Sequence, residues 1–227
     1  MMKICDDLKS IYRDTYFCEY QDGDTIEILE ERGDPDVTGV SINVKSELTN
    51  IQSDFLHNST SSYYKRNTCK PEIQHDCDGI MLLHYKNDDF LVLLELKSHF
   101  TKTNIEKAEK QIAASLFRMI CRLKPLNSFD VHNCKVCGII VSLPVSDETK
   151  RDIRVRKNAG KKLKRFEEQA YHFLRKSQPY LLEDEHIGLS KLPVNPVYIK
   201  KQIPLFHIDV KKGFSEIDIY NRLIKLQ

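Results

Sequence analysis

The sequence lacks several features that would assign it to a protein class at once. Its 227 residues include no tryptophan, and no apolar run approaches the roughly 18 residues that cross a bilayer. The N-terminal residues contain no apolar stretch typical of a secretory signal. No glycine-rich phosphate-binding loop occurs, so ATP hydrolysis by this chain is not expected. The absence of a long apolar run predicts a protein with no membrane partner.

Neither the overall charge nor the cysteine content identifies a partner. Lys and Arg total 35 against 33 Asp and Glu, which gives a net charge of +2. The seven cysteines are an odd number and none follows Cys137, which is not typical of a disulfide framework. Cys134 and Cys137 form a C-x-x-C without a second such pair, so buried free thiols are expected rather than a zinc site. This cysteine usage predicts a cytoplasmic protein, because free thiols persist in the reducing cytoplasm.

Hydrophobic periodicity predicts a single α/β domain over residues 1–227. Strands are predicted at 25–29, 40–44, 79–85, 90–97 and 135–143, with further strands around 192–210. Helices are predicted at 3–14, 46–56, 103–123, 161–175 and 214–226. A capping box of Thr103 and Glu106 predicts where the long helix starts, and Pro125 predicts its end. The order predicts a mixed sheet of three or four strands flanked by helices. The core is expected at about 20–143 and a basic helical extension at about 147–227.

The strand at 90–97 ends in two charged residues after an almost continuous apolar run. Glu95 and Lys97 are two apart, so both side chains project to one face of the strand. The turn at 86–89 brings Asp78 opposite Glu95, within about one residue of register. Two carboxylates roughly 5 Å apart repel each other, and a bound cation relieves that repulsion. The pattern predicts a site for Mg²⁺ or Mn²⁺ with Lys97 beside it.

Two other interpretations stay open. A Glu-x-Lys pair on a strand often forms only a solvated salt bridge at a sheet edge, and the chain would then be a structural or interaction protein. Alternatively, the chain is a nucleic-acid-binding or partner-binding module that keeps the fold without catalysis. The combination of an acid, a hairpin, an apolar strand, E-x-K and a capped helix favours catalysis over both.

These residues resemble the motif of the PD-(D/E)xK nuclease superfamily. The resemblance covers about residues 72–143. Asp78 and Gly79 stand before one strand, and the segment 95–97 (Glu-Leu-Lys) ends the next. A helix and a strand then follow in the expected order. Cys77 occupies the position of the proline in the motif's name, a position that varies in many branches.

The resemblance implies a restriction-endonuclease-like fold and a Mg²⁺-dependent endonuclease. By similarity, Asp78, Glu95 and the Leu96 carbonyl are metal ligands, and Lys97 is the catalytic base or a charge stabiliser. Some branches carry a glutamine in the following helix near the metal, which makes Gln111 a further candidate. Gln111 borders the apolar face of its predicted helix, so a boundary position without function is the alternative.

Further expectations rest on the resemblance alone. The substrate is expected to be nucleic acid, with double-stranded DNA favoured. Similar proteins often act as homo-oligomers and serve in restriction or antiviral defence. A free nuclease is toxic to its cell, which suggests gating by a regulatory protein partner. Glu47, Glu72 and Asp76 stay open as additional metal ligands.

Residues 150–165 contain nine Lys or Arg and one acid. A duplex is a dense line of negative charge, so this stretch is a candidate nucleic-acid surface. Its basic residues are Lys150, Arg151, Arg154, Arg156, Lys157, Lys161, Lys162, Lys164 and Arg165. The alternative is a solvated helix face. A second candidate contact is the Tyr-Tyr-Lys-Arg cluster at 63–66, because aromatic rings stack on bases; a mobile polar loop explains it equally well.

Overall fold

The computed structural model describes residues 2–30, 35–52, 54–56, 76–130, 133–175, 178–183 and 202–227. The strands are β1 (Phe17–Tyr20), β2 (Thr25–Leu29), β3 (Val37–Asn43), β4 (Leu48–Ile51), β5 (Gly79–Tyr85), β6 (Asp88–Lys97), β7 (Cys134–Ser142), β8 (Tyr180–Glu183), β9 (Gln202–Asp209) and β10 (Gly213–Ile217). The helices are α1 (Met2–Ile11), α2 (Lys102–Leu123), α3 (Asp147–Asn158), α4 (Arg165–Arg175) and α5 (Tyr220–Leu223). Glu72, the 63–66 cluster and any strand between 192 and 201 lie outside the described residues.

Seven strands form one mixed sheet in the order β1-β4-β5-β6-β7-β9-β8, and three more form a small sheet in the order β10-β3-β2. β5 and β6 pair antiparallel as predicted, and β2 pairs antiparallel with β3. β6, β7 and β9 run parallel to one another. The α/β class is confirmed, but a sheet of three or four strands is wrong. Short strands such as β1, β4 and β8 have too few residues to show a clear period in the sequence.

The large sheet is the middle of three layers. On one face, Leu91 and Leu93 of β6 belong to a core shared with α1, α2 and α4. On the other face, Leu94 and Leu96 pack with the small sheet. β6 is therefore covered on both sides, which accounts for its nearly continuous apolar sequence.

Two predicted helices are wrong where tertiary pairing decides the conformation. Residues 48–51 form β4, which lies between β1 and β5 in the large sheet, although the helix at 46–56 was predicted. Residues 213–217 form β10, parallel to β3. In β10, Phe214 and Glu216 are exposed and Ile217 is buried, a period of two that defines a strand. Of the helix predicted at 214–226, the short helix α5 remains, followed by a 3₁₀ turn at Ile224–Leu226.

The N-cap of the long helix lies two residues before the predicted one. Thr101, not Thr103, is the N-cap, and its Oγ1 accepts a hydrogen bond from the Asn104 N–H at 3.3 Å. Glu106 lies 3.8 Å from Lys102 across one helical turn instead of reaching back to a cap. The predicted end is confirmed, because α2 stops at Leu123 before Pro125.

The region after residue 147 is not a helical extension. α3 and α4 are separated by residues 159–164, so the helix predicted at 161–175 begins only at Arg165. β8 and β9 complete the large sheet, and β10 joins the small one. Among the described residues, no helix is long and apolar enough to cross a membrane.

Candidate active site

The candidate site lies where β5 ends beside the longer β6. Gly79 pairs with Leu94, so continuing the register places Asp78 opposite Glu95, as predicted. Asp78 Oδ2 accepts a hydrogen bond of 2.7 Å from the Leu96 backbone N–H. The Asp78 carboxylate thus accepts the hydrogen bond that a backbone carbonyl would accept if β5 extended beyond Gly79.

Glu95 and Lys97 form an ion pair inside the protein. The residues are 0% and 8% exposed, respectively. Their positions alternate with Leu94 and Leu96, so both side chains lie on the helix-facing side of the sheet, as the two-residue spacing predicted. The Leu96 side chain is buried on the opposite face. This burial excludes the interpretation of the pair as a solvated edge.

The charge balance of the site is unfavourable to Glu95. Burial raises the pKa of Glu95 well above its ordinary value, and the Asp78 carboxylate raises it further, against the opposing effect of Lys97. Glu95 Oε2 is buried and has no hydrogen-bond partner among the described residues. Burial and the charge of Glu95 also raise the pKa of the neighbouring Cys77 thiol. The arrangement is short of positive charge and leaves a carboxylate oxygen unused, which fits a bound cation.

The ligand set for a metal here is small. The described part of the chain contains no cluster of three or more His, Cys, Asp and Glu side chains spaced to hold a metal. A cation at this position would therefore rest on two carboxylates, a backbone oxygen and water. Mg²⁺ is commonly bound in this way, because it keeps several waters.

Helix α2 contacts the residues just before Asp78. Gln111 Nε2 donates a hydrogen bond of 3.1 Å to the Asp76 carbonyl, so the structure places Gln111 next to the segment that carries Asp78. The Asp76 side chain does not join the two site carboxylates. Its Oδ1 lies 2.7 Å from Arg118 Nη1 in a buried ion pair, which engages Asp76 with α2.

Glu47 lies at the other end of the hairpin. Its carbonyl accepts a hydrogen bond of 3.2 Å from the His84 N–H, next to the β5–β6 turn. His84 is five residues from Gly79, which corresponds to about 17 Å along a strand. The structure therefore does not bring Glu47 to the site.

A polar row continues from Lys97 across the parallel strands, and the sequence predictions missed it. Lys97 is in register with Ser142 on β7, and Ser142 with Asp209 on β9. The Ser142 hydroxyl donates to the Leu143 carbonyl at 2.8 Å, so it accepts the bond of 2.9 Å from His207 Nε2. All of these positions lie at the carboxyl ends of parallel strands, where open α/β sheets bind ligands. The sequence did contain a signal for this row, because Ser142 is a polar residue at the end of the apolar strand β7, as Glu95 is near the end of β6.

The nine basic residues of 150–165 fall into two groups. Four are engaged within the protein. Lys150 lies 2.9 Å from Asp147, and Arg156 lies 2.9 Å from Glu167. The Lys157 ammonium lies 3.8 Å from the centre of the Tyr171 ring, and Arg165 lies 2.6 Å from Glu109. Arg165 is a structural residue, since Glu109 is 2% exposed and also accepts a hydrogen bond from Gln169. The Arg165 side chain is also partly exposed and lines a cleft beside Lys164, so its assignment to a nucleic-acid surface stays a prediction.

The second group is exposed and has no ion-pair partner within the described ranges. It consists of Arg151, Arg154, Lys161, Lys162 and Lys164. A cleft of about 480 Å³ beside Lys164 is also lined by Lys102 at the start of α2. A smaller cleft of about 130 Å³ joins Lys150 to His207 and Asp209. The smaller cleft therefore lies between α3 and the carboxyl end of β9.

The cysteine prediction is confirmed for the C-x-x-C pair. Cys134 and Cys137 are free and buried, and burial raises the pKa of the Cys137 thiol.

Comparison of the chain with family models, with curated proteins and with solved structures found no match. The functional argument therefore rests on the geometry of the site.

Proposed function

We propose that the chain is a divalent-metal-dependent nuclease that hydrolyses phosphodiester bonds in nucleic acid. The observation that carries the proposal is the buried carboxylate of Glu95. It faces a second carboxylate, Asp78, and keeps one oxygen without a hydrogen-bond partner among the described residues. Burying a charge in this way is costly unless a cation compensates it.

Asp78 and Glu95 are the side chains that would hold Mg²⁺ or Mn²⁺, with the Leu96 carbonyl as the ligand that the resemblance to PD-(D/E)xK nucleases adds. When bound, such an ion would polarise a phosphate oxygen and lower the pKa of a bound water. Asp78 is positioned for this role by its bond to the Leu96 N–H, which orients the carboxylate toward the end of β6.

Lys97 is the residue best placed to act on the substrate directly. Its ammonium lies beside Glu95 at the end of β6, next to the open carboxyl edge of the sheet. There it would bind a nonbridging phosphate oxygen and stabilise the charge that develops as water attacks. Because the structure pairs Lys97 with a carboxylate, we favour charge stabilisation over a role as general base.

The exposed cations of α3 and the 161–164 connection provide a surface for the substrate. α3 is the next element after β7 and begins five residues beyond Ser142, so Arg151 and Arg154 lie on the helix that follows this edge of the sheet. Five exposed cations without ion-pair partners in the described chain favour phosphate contacts over internal structure.

The finer assignments rest on the resemblance alone. They are a restriction-endonuclease-like fold, double-stranded DNA as the substrate, action as a homo-oligomer, and a place in restriction or antiviral defence under the control of a regulatory partner. The mixed sheet with flanking helices is compatible with the first of these.

A second candidate function is nucleic-acid binding without catalysis. The ion pair of Glu95 with Lys97 favours it, because the two groups neutralise each other without a metal. This candidate predicts tight, salt-dependent binding and no metal-dependent cleavage.

The test is cleavage of plasmid DNA and of single-stranded RNA with Mg²⁺, Mn²⁺ or EDTA. We expect cleavage by the wild type only with a divalent ion, and a loss of about 100-fold or more in Glu95→Gln and Lys97→Met, as for other groups that stabilise a transition state. Glu27→Gln and Lys86→Gln, which change exposed residues, are the matched controls. Cleavage that survives in both site variants contradicts the assignment, and binding without cleavage in the wild type supports the second candidate.

A further inference from the structure

Helix α2 carries a buried polar stripe within its apolar face. Its members recur at the i, i+4, i+7 and i+11 spacing that places residues on one side of a helix. They are Gln111, Ser115, Arg118 and Arg122, with exposures of 8%, 0%, 3% and 4%. A buried polar group is costly unless it is hydrogen-bonded, so the partners of this stripe indicate what it is for.

The first three members of the stripe bind two consecutive residues, Asp76 and Cys77. Gln111 donates to the Asp76 carbonyl at 3.1 Å, and Ser115 Oγ accepts from the Cys77 N–H at 2.9 Å. Arg118 Nη1 lies 2.7 Å from the Asp76 carboxylate. Backbone carbonyl, backbone N–H and side chain are thus each held from the same helix.

The fourth member binds a different part of the chain. Arg122 Nη2 donates to the Phe55 carbonyl at 2.9 Å, and its guanidinium lies 4.6 Å from the centre of the Phe55 ring. Arg122 therefore shares the burial and chemistry of Arg118, and the structure bonds it to the Phe55 carbonyl.

Asp78 needs such support because it lies outside the strand ladder. β5 begins at Gly79. If the strand pairing continued beyond Gly79, the Leu96 N–H would face Cys77. The Leu96 N–H is bonded to the Asp78 side chain instead. The Cys77 N–H is bonded to Ser115 rather than to β6. The direction of the Asp78 carboxylate thus depends on contacts that anchor the two preceding residues.

We infer that Ser115 and Arg118 are positioning residues that hold Asp76 and Cys77 and thereby aim the Asp78 carboxylate at the end of β6. This role rests on the proposed nuclease function for its purpose, since a metal ligand must be held in place by a surrounding shell. Asp76 accordingly serves as the partner of Arg118 and not as a third ligand.

The first test follows the Leu96 amide by NMR hydrogen exchange on ¹⁵N-labelled protein without metal. Asp78→Ala, which has no side-chain oxygen to accept the bond, gives the exchange rate of the Leu96 amide without its acceptor. We expect Leu96 to exchange about 10-fold faster or more in Ser115→Ala and Arg118→Met, with the Val92 amide of β6 unchanged and partial recovery in Arg118→Lys. Arg122→Met is the matched control for loss of a buried arginine and should leave the Leu96 amide as in the wild type.

Wild-type exchange at Leu96 in both Ser115→Ala and Arg118→Met overturns the inference. So does equal acceleration in Arg122→Met, which indicates a general loosening of α2. If Arg118→Met fails to fold, the double variant Asp76→Asn/Arg118→Met is used in its place. The double variant removes both charges of the buried ion pair.

The second test measures Mn²⁺ affinity by calorimetry and the cleavage constants. We expect metal binding about 10- to 100-fold weaker in Ser115→Ala, the range found for outer-shell changes, with KM for nucleic acid unchanged and kcat reduced. Unaltered Mn²⁺ affinity in this variant contradicts the positioning role. If the wild type binds no Mn²⁺, the proposed function fails, and the Leu96 amide still decides whether α2 holds Asp78.

Discussion

The carboxylate of Glu95 and the ammonium of Lys97 form an ion pair that is almost completely removed from solvent, although the two residues are separated by one position on the same strand. Replacing Lys97 by Met leaves a buried carboxylate without its cation. Breaking a buried pair from one side costs about 3–5 kcal/mol. We expect a loss near the lower end of this range in urea unfolding with EDTA, because a carboxyl whose pKa is already raised takes up a proton readily.

The double variant Glu95→Gln/Lys97→Met is the control for this prediction. It removes both charges and keeps similar volumes, so most of the lost stability should return. A double variant that is as unstable as Lys97→Met alone contradicts the view that an uncompensated charge is the cause.

Metal binding should be visible in stability without any substrate. A ligand that binds only the folded state stabilises it by about 2.7 kcal/mol at 100 times its Kd. For a chain of this size, that corresponds to a rise in Tm of about 5–10 °C. We expect this rise with Mg²⁺ or Mn²⁺ in the wild type and in Glu27→Gln, and no rise in Glu95→Gln. An equal rise in Glu95→Gln places the bound ion elsewhere.

The hairpin that carries the site was predictable because its determinants are local. The alternation of β5, the apolar run of β6 and the intervening turn define the register that brings Asp78 opposite Glu95. The turn consists of Lys86 and Asn87, whose positive φ angles of 49° and 68° are those of a tight two-residue hairpin. Two-residue alternation then places Lys97 on the face of Glu95.

The surroundings of the site were not predictable, because they depend on contacts between distant residues. Ser142 and His207 are 65 positions apart, and Ser115 and Cys77 are 38 apart. Nothing in the local pattern around Ser115 distinguishes a polar residue that bonds a remote backbone from one that faces solvent. The same applies to Arg165, whose basic neighbours suggested a surface role although it contacts the buried Glu109.

Arg165 should therefore matter for stability, whereas its neighbour Lys164 should not. Arg165→Met leaves Glu109 with Gln169 as the remaining partner shown, and we expect a loss of about 2 kcal/mol, in the range for removing one partner of a buried charged group. Lys164→Met changes an exposed side chain and should stay within about 0.5 kcal/mol of the wild type. Urea unfolding measures both, and equal small losses contradict the structural role of Arg165.

The exposed cations should determine how nucleic-acid binding responds to salt. Each phosphate contact contributes about 0.9 to the slope of log K against log salt on duplex DNA. Lys161→Gln/Lys162→Gln should weaken binding and lower the slope by up to about 2, because both side chains are exposed and unpaired in the described chain. Fluorescence anisotropy with labelled duplex in EDTA, over a series of salt concentrations, measures this change.

The control for the salt prediction is Lys3→Gln/Lys86→Gln, which removes the same charge from exposed positions on α1 and in the β5–β6 turn. Long-range attraction to a polyanion depends on total charge, so both double variants should lose some affinity at low salt. Only contacts that release counterions at the binding surface lower the slope. Equal slopes for the two double variants contradict a phosphate-binding surface at 161–162, whereas a lower slope for Lys161→Gln/Lys162→Gln alone supports it.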